Sequence, residues 1–324
     1  MRRRIIGLVA LGLALLLAGC GGLATAGGPI PTGRLRGPLT HVKRLNGASI
    51  SIGSKNFSES ITLGKMALIL FKSAGAQVTD LTNIPGSASA RQAHLDGDID
   101  AMWDYTGTAW LEYLGQQKAI KDSHKQYEAV REMDLRKNDL VWLPPAPMNN
   151  TYAMAVTQAS AKKWGLSKLS DIKKVPVAQR TFCLETEFRN RNDGFVPMLK
   201  TYGLSLGTDV PEKNIKLFQA GVIYDATAAG SCTFGEVYTT DGRIVALNLK
   251  VLKDDKRFFP NYNVSLVVRR SVMKRYPQIA KIIAPVAKKL TTATLLKLNA
   301  EVDVDGREPT DVAYDWLKKE GFVS

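Results

Sequence analysis

The chain has 324 residues, of which 45% are apolar and 23% charged, enough for proper cores and typically two domains. That balance, with 8% aromatics, excludes disorder, collagen and coiled coil for the bulk of the chain. Three Cys and three His leave little for a multi-ligand metal site, so no metal or cofactor is expected, while a net charge of +14 first suggests a polyanion partner.

The N-terminus changes that suggestion. Arg2-Arg3-Arg4 precede an apolar run, Ile5 to Leu17, which ends in Leu17-Ala18-Gly19-Cys20. A basic head, a short apolar stretch and small residues describe a secretory signal over residues 1–19. The run is about 13 residues, short for a bilayer core that needs roughly 20. Leu-Ala-Gly-Cys resembles the bacterial lipobox, which implies that Cys20 is lipidated and anchors the mature chain to a membrane. Cleavage there removes three arginines and lowers the net charge from +14 to +11. An exported chain rarely meets nucleic acid, so that partner is not expected. Residues 20–47 read as a lipidated N-terminus and a Gly- and Pro-rich tether without acid. Its Arg34, Arg36, Lys43 and Arg44 either rest on anionic lipid or are simply solvated.

From Ala48 onward, strand and helix patterns alternate. Ser49–Gly53 reads as a strand, with Asn56 and Glu59 as a capping box for a helix that stops at Gly75. Gln77–Leu81 is a second strand, Gly86 opens a helix toward Leu95, and Ile99–Trp103 is a third strand. Thr106-Gly107-Thr108 breaks it and caps a helix through Leu114. A second unit begins with the strand Thr151–Val156, followed by a strand over Gln179–Glu185, a polar loop over Thr186–Asp193 and a helix over Gly194–Tyr202. The helix Ile223–Ala229 and the strand Thr233–Tyr238 complete that unit. The chain then returns with the strand Ser265–Arg269 and the helices Pro277–Lys289, Thr291–Leu298 and Ala313–Lys319. This order implies an α/β fold with ligand chemistry at the strand ends.

Five stretches carry a resemblance. They are Gly53-Ser54-Lys55-Asn56-Phe57, Asp104-Tyr105-Thr106-Gly107-Thr108, Asn150-Thr151-Tyr152-Ala153, Tyr238-Thr239-Thr240-Asp241-Gly242-Arg243 and Phe258-Phe259-Pro260-Asn261-Tyr262-Asn263. In this order and spacing they resemble the substrate-binding lipoproteins of osmoprotectant ABC importers, the glycine betaine/choline/carnitine family. The resemblance implies a two-lobed periplasmic-binding-protein fold of the type with two crossovers. One lobe would comprise residues 48–149 plus 252–324, and the other 150–251. It also implies an ammonium cage of Tyr105, Tyr152, Tyr238 and Tyr262, and a carboxylate end at Arg189, Lys55 and Thr108.

The chemistry fits such a ligand. A quaternary ammonium has no N–H, so aromatic faces must hold it, at about 0.5–2 kcal/mol per desolvated contact. Arginine can grip a carboxylate in forked geometry. The helix opened by Gly86-Ser87-Ala88-Ser89 is expected to face the cleft and carries no acid there, which favours a zwitterion over a bare cation such as choline. Cys183 and Cys232 are either a disulfide, worth about 3–4 kcal/mol in the chain-entropy model, or two buried thiols. No nucleophile elbow, metal-ligand spacing or dinucleotide fingerprint points to an enzyme. The expectation is therefore an extracytoplasmic, lipid-anchored monomer that hands a quaternary-ammonium solute to an ABC permease. A binder of choline or another quaternary ammonium, or a sensor or interaction lipoprotein of the same fold, is the alternative.

Overall fold

The computed structural model describes residues 28–324. The expected signal sequence and the lipidated Cys20 lie outside the described residues. Among the described residues, ten strands form two five-stranded sheets. The first contains β1 (Ser49–Lys55), β2 (Gln77–Ile84), β3 (Ala101–Tyr105), β4 (Leu140–Trp142) and β10 (Val264–Arg269), in the order β2-β1-β3-β10-β4. The second contains β5 (Tyr152–Thr157), β6 (Phe182–Leu184), β7 (Ile215–Leu217), β8 (Phe234–Tyr238) and β9 (Leu249–Val251), in the order β7-β6-β8-β5-β9.

The chain leaves the first sheet after β4, builds the whole of the second, and returns at β10. β10 inserts antiparallel between β3 and β4, so the first lobe is closed by chain from both sides of the second. β1, β2 and β3 are parallel neighbours, as are β6, β7 and β8. Parallel strands need covered faces. The helix Ser58–Ser73 supplies one cover with a nearly continuous buried run from Thr62 to Phe71. The helices Thr292–Asp303 and Pro309–Lys319 pack against it. Among the described residues no helix is long and apolar enough to cross a membrane.

Several sequence expectations are corrected. The tether does not extend to Gly47. Leu39 and Leu45 are fully buried, Leu35 is buried and bridges Val323, and the Arg36 amide donates to the Phe322 carbonyl at 2.8 Å. Three leucines spaced through a Gly/Pro-rich stretch give it enough apolar area to dock on the first lobe, which composition alone conceals. The capping box is also absent. Phe57 is the N-cap, without a side-chain cap bond, and Glu59 turns inward to buried donors instead. Asn56 Oδ1 accepts from the Gly86 amide at 3.2 Å. Part of the polar stretch 186–193, expected as loop, is a short helix over Thr186–Asn190. A helix over Ser123–Asn138 has no counterpart in the sequence reading, because it buries Gln126 and Asp134 beside Tyr127 and Val130 and so shows little apolar periodicity.

Cys183 in β6 and Cys232 just before β8 are bonded, with Cα atoms 5.6 Å apart. Trp103 in β3 is a core side chain of the first lobe.

Candidate ligand-binding site

Four strand ends converge between the lobes. Lys55 ends β1, Tyr105 ends β3, Tyr152 starts β5 and Tyr238 ends β8. Tyr152 and Tyr238 are direct cross-strand partners, which places their rings side by side, with centroids 5.3 Å apart. Tyr262 arrives from the segment entering β10 and meets Tyr152 edge-to-face at 5.6 Å. Its approach depends on Gly107. A Cβ there would lie 2.7 Å from both the Asn261 carbonyl and the Tyr262 ring, well inside contact distance. These four tyrosines, drawn from both lobes, line one cavity of about 40 Å³. Phe57, not expected as a cage ring, also lines it and stacks on Tyr238 at 5.4 Å.

The remaining lining is polar. Lys55, Asn56, Ser87, Thr108, Asn150, Glu185 and Glu187 complete the wall. Lys55 Nζ lies 2.8 Å from Asp104, with both side chains buried. An ammonium has three donors, so this pair leaves Lys55 free to engage a further acceptor. Glu187, from the second lobe, accepts from the Ser87 amide of the first at 2.9 Å, at the N-terminus of the helix Ser87–Asp96. Burial pushes the Glu187 carboxyl up, but the charges of Lys55 and Arg191 and the Ser87 donors outweigh it and hold it below the ordinary range. The helix start over residues 86–89 carries no acid itself, but Glu185 and Glu187 of the opposite lobe bring carboxylates to the cavity, so the absence of acid there does not by itself favour a zwitterion.

Arg189 is not at the cavity. It pairs with the exposed Glu212 at 2.8 Å on the surface of the second lobe. The neighbouring Arg191 is the buried arginine. Its Nε and Nη2 are bound by Asp193 at 2.6 and 2.7 Å, its Nη1 by Glu187 at 3.0 Å, and its Nη2 also reaches Thr108 Oγ1 at 3.3 Å. The guanidinium stands 5.3 Å from the Tyr152 ring centroid. Two residues along a short helical turn reverse which side faces the cleft, a step no residue count could resolve. The signal that separates the two positions in sequence is Asp193, an acid close enough to fork one guanidinium.

Three of the four tyrosine hydroxyls donate to carboxylates. Tyr105 donates to Glu59 at 2.7 Å, Tyr238 to Glu185 at 3.0 Å and Tyr262 to Asp193 at 2.6 Å. Each ring is thereby fixed at its rim while its face stays available. Burial raises the Glu185 carboxyl, and it raises Glu236 behind it well above the usual range, with the charge of Glu185 adding to the effect.

Two lobes on separate sheets, joined by two chain crossings and closing aromatic rings over a central cavity, define a solute-binding protein of the two-lobed periplasmic type. Residues 48–319 match the family described as the substrate-binding domain of the ABC-type glycine betaine transport system. The chain is 36% identical over 279 residues to a glycine-betaine-binding protein of Pseudomonas aeruginosa, covering 84% of this chain and 88% of that one. It is 34% identical to the glycine betaine-binding protein YehZ of Escherichia coli, covering 85% of this chain and 91% of that one. A solved structure described as a glycine betaine/carnitine/choline ABC transporter aligns with a TM-score of 0.67 at 31% identity, covering 84% of this chain and 98% of that one. The chain belongs to the glycine betaine substrate-binding family of ABC importers.

Proposed function

We propose that this protein captures a quaternary-ammonium zwitterion of the glycine betaine or carnitine type between its lobes and delivers it to an ABC permease. The observation that carries this reading is the cavity where four tyrosines and Phe57 from both lobes meet donors at one edge. The faces of Tyr105, Tyr152, Tyr238 and Tyr262, with Phe57, suit a methylated ammonium that cannot hydrogen-bond. Lys55, Thr108 and the Asn56 amide suit the carboxylate, and Arg191 adds positive charge behind Thr108. Arg191 therefore takes the role expected of Arg189. Because the cage draws on both lobes, ligand stabilises the closed arrangement, and the closed form is the one a permease would read.

Delivery places the protein outside the cytoplasmic membrane. The lipobox-like Leu17-Ala18-Gly19-Cys20 supports an anchor at Cys20 after removal of residues 1–19, and a monomer is sufficient for the task. Calorimetry on the purified protein tests the reading: glycine betaine or carnitine should bind at micromolar affinity or tighter, and more tightly than choline. Absence of heat with every quaternary ammonium compound would sink it.

A further inference from the structure

One buried carboxyl group ties the tyrosine-lined cavity to the contact between the lobes. Glu59 is 2% exposed and receives four donors. Its Oε1 accepts from Tyr105 Oη at 2.7 Å and Asn150 Nδ2 at 2.9 Å. Its Oε2 accepts from Thr240 Oγ1 at 2.6 Å and Asn299 Nδ2 at 3.0 Å. Each partner comes from a different part of the chain. Tyr105 is a cage ring on β3, Asn150 lies on the first crossing between the lobes, Thr240 follows β8 in the second lobe, and Asn299 sits on the helix Thr292–Asp303 of the first.

The surroundings make the Thr240 side an interface between lobes. Asn299 Nδ2 also donates to the Thr240 carbonyl at 2.8 Å. Gly242 lies so close to the same helix that a Cβ would stand 2.6 Å from the Ala300 backbone. Arg243 approaches Asp303 at 3.6 Å. Moving the second lobe away from this helix must break the Thr240–Glu59 bond, and on the other oxygen the same carboxylate holds the rim of a cage ring.

We propose that Glu59 is a positioning residue that couples the Tyr105 ring to lobe closure: it fixes the ring for the ligand only while Thr240 and Asn150 hold its carboxylate in place. This rests on the cage reading above. Only a carboxylate offers acceptors to all four donors at once; an amide of the same shape would turn N–H groups against one asparagine amide and force one hydroxyl to reverse from donor to acceptor. Tyr105 and Thr240 should therefore be energetically linked through Glu59 although their side chains bond different oxygens.

The test is a set of double-mutant cycles on the full chain with Glu59→Gln, Tyr105→Phe and Thr240→Val, read by calorimetry with glycine betaine and by thermal melting. Glu59→Gln should weaken binding tenfold or more with its circular dichroism intact, and adding Tyr105→Phe should cost less than twofold further. Thr240→Val should weaken binding several-fold without touching a cage residue, and its loss should shrink when combined with Tyr105→Phe. Independent, multiplying losses in these cycles would overturn the coupling, as would unchanged affinity in Glu59→Gln. If Glu59→Gln does not fold, the Thr240→Val and Tyr105→Phe cycle decides alone. If the wild type binds no quaternary ammonium compound, the functional reading fails by itself. The melting cycle of Glu59→Gln with Thr240→Val then judges the node without ligand, where additive shifts overturn it and sub-additive shifts support it.

Discussion

Tyr262 Oη donates to Asp193 Oδ2 at 2.6 Å, joining the segment that enters the first sheet to the loop after β6 in the second lobe. Asp193 in turn forks Arg191, whose Nη2 reaches Thr108 back on the first lobe. Nearby, the Asn192 amide donates to Glu112 at 2.8 Å, and the Ser87 amide to Glu187. Closure thus rests on hydrogen bonds to charged groups, worth about 1.5–3 kcal/mol where they are buried, as at Tyr262–Asp193, and less where they are exposed, as at Asn192–Glu112.

Tyr262→Phe separates this latch from the ring. The variant keeps an aromatic face but loses the donor to Asp193. Affinity for glycine betaine should fall by about 1–2 kcal/mol, with Tyr262→Ala falling further because the face is also lost. Equal affinity of wild type and Tyr262→Phe in calorimetry would show that the hydroxyl contributes nothing to the closed state.

The two arginines should behave oppositely. Arg189 pairs with an exposed Glu212, so Arg189→Ala should change stability by less than about 1 kcal/mol and leave binding nearly unchanged. Arg191→Ala strands the buried Asp193 and removes the donor to Thr108, so it should destabilise by about 3–5 kcal/mol and abolish measurable binding. Side-by-side melting and titration of the two variants decides between the positions.

His94 should make the fold sensitive to mild acid. It is 1% exposed and its Nε2 has no hydrogen-bond partner. Burial, with the charge of Arg91 adding to it, lowers the imidazole pKa from 6.5 to about 4. The unfolded chain therefore binds a proton that the folded chain refuses between these values. The stabilisation is complete above pH 6.5 and is lost as pH falls toward 4, by an amount on the order of 2–3 kcal/mol. Urea unfolding at pH 7 and pH 4.5 should show this drop in wild type and a shallower one in His94→Gln; parallel drops would exclude His94 as the source.

The docked N-terminal segment should contribute to stability, not merely to reach. Leu39 is fully buried in the main core, so Leu39→Ala should cost about 2–5 kcal/mol in denaturant unfolding. A shift below about 0.5 kcal/mol would return this segment to the status of a tether.

Much of the architecture was legible in the amino-acid order alone. Strand and helix periods marked the alternation that yields two α/β sheets, because each period follows from which side chains must leave water. The motifs around Tyr105, Tyr152, Tyr238 and Tyr262 could be located through the family resemblance, and Tyr105, Tyr152 and Tyr238 stand at strand ends while Tyr262 lies just before β10. Composition failed where a few apolar anchors outweigh many polar neighbours, as with Leu35, Leu39 and Leu45. Periodicity failed where polar groups are buried in pairs, as with Asp134, which receives Arg91 and the Trp142 indole.

What opened as a net charge of +14 looks different at the level of the site. The sequence by itself determined the alternation of strands and helices and, through the family resemblance, pointed to the tyrosines proposed to hold a methylated ammonium. Only the tertiary structure decided which arginine, 189 or 191, faces inward, that Glu185 and Glu187 reach the cavity, and that Glu59 meets donors far apart in the chain. The reason is physical. Strand-end positions are set by local period, whereas a buried charge is placed by partners that the chain brings together only when the lobes fold and close.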